Sequence, residues 1–168
     1  MLTFAQYEAP NDALLADQDP AVVAALAAQN DTQVANLYNS ASATVVWRTS
    51  VPLDEIMQNG FGWTRADNLS IGAARVWEWL FNNESRSFNP TKPNVRAGID
   101  AVWKGTAADL AVRASVYTHC KRFASKVEAI FVSGLGTDEN PAVLVYEGTI
   151  SAVDVAIAIR NDDGTPRP

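Results

Sequence analysis

TAADLAVRASVYTHCKRFASKVEAIF, residues 106–131, contains neither glycine nor proline. Apolar positions recur at Leu110, Ala114, Tyr117, Cys120, Phe123 (or Ala124), Val127 and Phe131. Steps of three and four are the period of an α-helix. Thr106 and Asp109 form a Thr-x-x-Asp start, in which hydroxyl and carboxylate each take a free backbone amide. Gly134, just beyond the stretch, suits a helix end that needs positive φ. The spacing predicts one helix over about 106–131, roughly 39 Å long at 1.5 Å per residue. Such a rod in a chain of 168 residues would be its spine.

Around this spine the sequence predicts further helices. Asp19 caps a helix opened by Pro20, with Gln29-Asn30-Asp31 as a break before Val34, Leu37 and Tyr38. Pro52 opens a short helix with Asp54 and Glu55 in its first turn. Ser70 to Phe81 is a helix apolar over much of its circumference, the mark of burial on two sides or of an interface. Pro93 opens a helix that runs to Trp103. Ser151 and Asp154 repeat the Ser-x-x-Asp cap, although the β-branched residues that follow leave a strand as the alternative. Thr44–Thr49 reads as a short extended segment, and 143–149 as a short strand. The fold class expected is mainly α: a helical bundle around one long helix, with extended N- and C-terminal arms and little β. The domains expected are an N-terminal arm at 1–18, a helical domain at 19–160 and a flexible tail at 161–168.

The composition narrows the function. Hydrophobic residues make up 48% of the chain and the net charge is −6. An acidic balance argues against a dedicated nucleic-acid binder. One cysteine gives no internal disulfide. No apolar run approaches the roughly 18 residues that a membrane span needs, and MLTFAQYEAPND lacks the charged start and apolar block of a signal peptide. A soluble protein made inside the cell, with no membrane partner, is expected.

Catalytic and metal-binding patterns are weak. His119 and Cys120 are neighbours on the predicted helix, about 100° apart, and do not face each other as base and nucleophile. Gly134-Leu135-Gly136 follows a helix rather than a strand and lacks the third glycine of a dinucleotide loop. The pairs Glu78 with Glu84, and Asp54 with Glu55, have nothing but residue type to recommend them. Asp162 and Asp163 read as an acidic tail rather than a cation site. Neither enzymatic activity nor a cofactor is expected.

Two groups of residues remain as candidates for contact. The apolar set is Leu2, Phe4 and Tyr7 in the arm, Trp63 in a loop signal, Trp77 and Trp79 on the 70–81 helix, and Tyr146 and Ile157 near the C-terminus. The basic set is Arg113, His119, Arg122 and Lys126 on or near one side of the predicted spine. It is either a solvated face or a surface for an acidic partner, a neighbouring copy or nucleic acid.

Four blocks, QNDTQVANLYN (29–39), VVWRTSVPLDEI (45–56), KPNVRAGI (92–99) and YEGTISAVDV (146–155), occur in an order that resembles small neck proteins of tailed bacteriophages, the head–tail connectors or adaptors. The resemblance covers about two thirds of the chain. It implies a structural virion protein, made in the host cytoplasm, that forms a ring of about 12 copies beneath the portal. Its partners would be other copies, the portal protein, the next neck or tail protein, and DNA passing without sequence-specific binding. The length of sequence between Ala41 and Gly62 exceeds what a minimal helical adaptor needs. A tail-completion or minor head protein is the alternative within the virion, and a soluble DNA-binding regulator the alternative outside it. On the connector reading, removal of residues 1–10 is expected to leave a folded monomer that assembles poorly.

Overall fold

The computed structural model describes residues 7–58 and 61–160. The chain folds as two compact units, Met1–Val46 with Phe123–Pro168, and Trp47–Arg122. In chain order the elements are α1 (Glu8–Ala16), α2 (Pro20–Ala27), α3 (Asp31–Tyr38), β1 (Ala41–Trp47), β2 (Val51–Pro52), α4 (Leu53–Gln58), α5 (Trp63–Asp67), α6 (Ile71–Leu80), β3 (Ser87–Phe88), α7 (Pro93–Val102) and α8 (Ala107–His119). There follow β4 (Lys121–Ser125), α9 (Lys126–Ile130), β5 (Val132–Ser133), β6 (Val143–Leu144) and α10 (Ala152–Ile159).

The expected bundle around one long helix is not what forms. The described residues are 54% helix and 14% strand, a mixed α/β chain with small two-stranded sheets, β1–β4, β2–β3 and β5–β6. The 106–131 stretch is three elements. α8 starts at the predicted Thr106–Asp109 capping box. It stops at His119, where Arg48 closes its C-terminal end: the Arg48 backbone N–H donates to Cys120 O at 2.9 Å and its guanidinium to His119 O at 3.0 Å. Lys121–Ser125 then pairs with β1. Strand pairing is a tertiary gain that periodicity does not report, and it overrides a modest helix propensity. The chain re-enters helix at a second capping box, Ser125 with Glu128. That Ser-x-x-Glu lies inside the periodic stretch, where a start signal is easily overlooked.

In the discontinuous unit, α1, α2, α3, α9 and α10 supply a core of Tyr7, Leu14, Val22, Val34, Tyr38, Val127, Ile150 and Val155. Among the described residues of this unit the buried Asn11 Oδ1 has no hydrogen-bond partner, but the other buried polar groups are paired, as burial demands. Tyr7 Oη donates to Asp154 Oδ1 at 2.7 Å. Asp154 Oδ2 accepts from Ser151 N at 2.8 Å and Ser151 Oγ at 2.7 Å, capping α10. The Asn39 side chain grips Ile150 by both of its backbone groups, donating to Ile150 O at 2.8 Å and accepting from Ile150 N at 2.9 Å. Arg160 forks onto Asp31 at 2.6 and 2.7 Å, and Lys126 Nζ meets Asp19 Oδ2 at 2.9 Å. Val46, Ala124 and Ala142 form a smaller core beside it. Gly136 fits there with φ +70; a Cβ at that position would lie 2.6 Å from Thr44 Cγ2, so a side chain would meet both strain and a clash.

The extended arm anticipated from the N-terminus is helical from Glu8, and Tyr7 is 6% exposed. Residues 1–6 and 161–168 lie outside the described residues. Asp154→Ala is expected to cost about 3 kcal/mol, because it strands the Ser151 amide and the Tyr7 hydroxyl and removes a cap. Tyr7→Phe, which leaves the cap whole, should cost only about 1 kcal/mol. Urea unfolding checks both; equal losses in the two variants would count against this account.

The continuous unit is built on aromatic rings. Val51, Ile56, Phe61, Trp77, Phe81, Phe88, Ile99, Val102, Trp103, Val112, Val116 and Cys120 form its core. Trp77 stacks on Phe61 at 5.8 Å and meets Trp103 edge-on at 5.4 Å and Phe81 at 5.1 Å. Edge-to-face pairs of this kind add about 0.5–1.5 kcal/mol each beyond area burial. No helix among the described residues is long and apolar enough to cross a membrane.

Candidate functional site

The surface that stands out is α6 and its neighbours in the continuous unit. Ser70 Oγ accepts from Ala73 N at 3.2 Å and starts the helix. Ala73, Trp77 and Phe81 then fall on the inner side at helical spacing. Gly72, Val76 and Trp79 fall on another stripe. Trp79 is 67% exposed, Ile71 is 77% exposed, and Trp63 on α5 is 52% exposed. α6 thus buries one indole and leaves the other largely in solvent.

A groove of about 520 Å³ runs beside Trp79 between α6 and α7. Its apolar wall is Val76, Trp79, Leu80, Phe88 and Val95. Gly98 lets α7 come close: a Cβ there would sit 3.3 Å from Leu80 Cδ2. The polar wall is Thr49, Asn83, Ser87, Asn89 and Asn94, and among the described residues that line the groove none is charged. Asn83 is engaged locally, its Oδ1 accepting from Ser87 N at 3.1 Å and Ser85 Oγ at 2.9 Å. Asn89 uses its Oδ1 for the Thr91 amide and hydroxyl, at 2.9 and 2.6 Å. Its Nδ2, and the whole Asn94 side-chain amide, make no hydrogen bond among the described residues. A second hollow of about 580 Å³ lies by Leu53, Met57, Glu78, Arg86 and again Trp79. Trp79 is therefore a ridge common to two depressions.

No protein-family model, no curated protein and no solved structure matches this chain significantly.

The other predicted contact residues are distributed differently from the expectation. Trp77 is 7% exposed and belongs to the core. Tyr7 is likewise buried. Burial and the adjacent Asp154 carboxylate push its phenol up to about 12. Tyr146 and Ile157 pack against the core of the discontinuous unit, Tyr146 with its ring 5.4 Å from Phe131. Leu2 and Phe4 lie outside the described residues. Trp63 and Trp79 alone of the described members are broadly exposed.

The basic set does not share one helical face, because α8 ends at His119. Arg113 lies 3.5 Å from Asp100, and His119 Nδ1 lies 3.5 Å from Glu55 Oε1. Arg122 is on β4. Lys126 opens α9, and its Asp19 partner raises its pKa. The Arg48 guanidinium holds the Glu55 carboxyl below the usual carboxylate range, despite partial burial. Arg48, Glu55 and His119 thus form a satisfied cluster that fastens the end of α8.

Sequence reasoning missed the asparagines. Four of them, Asn82, Asn83, Asn89 and Asn94, fall in one loop and the helix start after it. A cluster of amides flanking an apolar helix was the available signal.

Proposed function

We propose that this chain is a structural virion protein of a tailed bacteriophage, a head–tail connector or adaptor that assembles as a ring beneath the portal. The observation that carries the reading is the exposed Trp79, with Trp63 and Ile71, on α5 and α6. Large aromatic side chains held in water by a rigid helix are what an interface hot spot uses. The order of the four sequence blocks adds the virion context. Around a ring each subunit needs two different faces, since the contact is head-to-tail. The −6 net charge suits a conduit wall that does not hold phosphate, which dominates DNA affinity where it is neutralised.

Light scattering on the purified chain, alone and with portal protein, tests this. A ring-sized mass, or co-migration with the portal, is the expected result. A monomer at every concentration, with no portal binding, would sink the reading. Sequence-specific DNA retention at physiological salt would favour the regulator instead. Replacing both Trp63 and Trp79 by alanine should leave the fold intact and weaken assembly by about 10- to 100-fold. Truncation must be placed with care. Deleting residues 1–10 would remove Tyr7 and Pro10, both buried in the core. A folded monomer is therefore not expected from that deletion; one that stops at Gln6 keeps both Tyr7 and Pro10.

A further inference from the structure

The groove beside Trp79 is uncharged, half apolar and half polar, with three asparagines on its polar wall. An amide side chain carries one acceptor and two donors, the same groups that a peptide unit offers in complement. Asn39 shows the match inside this chain, holding both N and O of Ile150. Asn94 presents the same pair of groups at the groove, and Asn89 Nδ2 presents donors beside it. An extended peptide would satisfy these amides with its backbone and turn alternate side chains toward the Val76–Trp79–Leu80 wall.

Residues 1–6, MLTFAQ, have that chemistry. None of their side chains is charged. Leu2 and Phe4 are two apart, so they share one side of an extended segment. The other terminal stretch outside the described residues, NDDGTPRP, carries two carboxylates and an arginine. Burying those against an uncharged wall would go uncompensated. We infer that the groove between α6 and α7 receives residues 1–6 of a second copy, laid in extended, with Leu2 and Phe4 against Trp79. That the donor is another copy rests on the self-assembly reading above.

The test uses the full chain with benzoylphenylalanine in place of Phe4, mixed with heavy-isotope-labelled chain and irradiated. Mass spectrometry locates the cross-links. Light-to-heavy links from position 4 to peptides carrying Trp79 or Val95 are expected. They should fall by about tenfold when the heavy chain carries Trp79→Ala or Asn94→Ala. Both positions are exposed, so neither replacement threatens the fold. Links to any other segment, no links, or links confined within one chain would overturn the inference. Light scattering on the same mixture separates the two levels. An assembled ring without groove links removes this inference and leaves the connector reading standing, whereas a monomer that ignores the portal removes the connector reading itself.

Discussion

Trp103→Ala is expected to cost about 4 kcal/mol, in the range for deleting a large aromatic from a core. Trp103 is fully buried and meets Trp77 at 5.4 Å and Phe61 at 5.9 Å, both edge-on. Its removal opens a cavity in the middle of the ring cluster, and the surrounding rings relax only in part. Against a total domain stability of about 5–15 kcal/mol, such a loss is a large fraction. Hydrogen exchange gives the sharpest readout. Amides of α7 and α8 should lose protection first, since their core is the one damaged. Trp103→Phe serves as a control. The Trp103 Nε1 has no hydrogen-bond partner in its buried position, so the smaller ring removes an orphaned donor along with some volume. It should cost clearly less than alanine. Equal losses for phenylalanine and alanine would contradict the cavity account.

The second large effect is expected in alkali. Burial pushes the Cys120 thiol from an ordinary 9.0 up to about 12. Burial and the bond to Asp100 raise Tyr117, and burial and the bond to Asp17 raise Tyr38. A raised pKa means that the folded chain keeps its proton after the unfolded chain has lost it. The contribution is therefore complete below pH 9 for the thiol and is lost as pH climbs toward the folded value. The slope is about 1.4 kcal/mol per pH unit for each such group. By pH 10.5 the thiol alone removes about 2 kcal/mol, and the phenols begin to add to it above about pH 10. Urea midpoints under reducing conditions at pH 8, 9, 10 and 10.5 should fall with increasing steepness. Cys120→Ala should be less stable at pH 8 yet flatter between pH 9 and 10. The same slope in the variant would show that the thiol is not the titrating group.

Much of the local structure is legible in the chain. Asp19 before Pro20, Ser70, Thr106 with Asp109 and Ser151 with Asp154 all cap helices where side-chain chemistry places them. The one misreading that changed the fold class came from Cys120, Ala124 and Val127. All three are buried, and their spacing continues the helical period across a segment that is extended. Periodicity records which residues face inward, and a helix–strand–helix chain can satisfy the same record. What ends α8 is Arg48, far away in sequence, and no local rule announces such a partner.

The tryptophans carry a sharper signal than a helix apolar all round. Residues two apart on a helix point to nearly opposite sides, so Trp77 and Trp79 cannot face the same core. Trp77 has Ala73 and Phe81 one turn away on either side, whereas Trp79 has Arg75 and Asn83. The polar neighbours mark the outward ring. The groove itself was not legible, because Gly98 on α7, Phe88 on β3 and Asn89 after it reach Trp79 only through tertiary packing.

The interrupted order of the first unit bears on how the molecule is made. Residues 47–122 are contiguous, so every contact within that unit becomes available as soon as residue 122 has left the ribosome. The first 46 residues must wait longer. Tyr7 needs Asp154 and Asp31 needs Arg160, sequence separations of 147 and 129. Closing loops that long is slow, and the nascent amino-terminal helices must keep their apolar sides out of trouble until α10 has emerged.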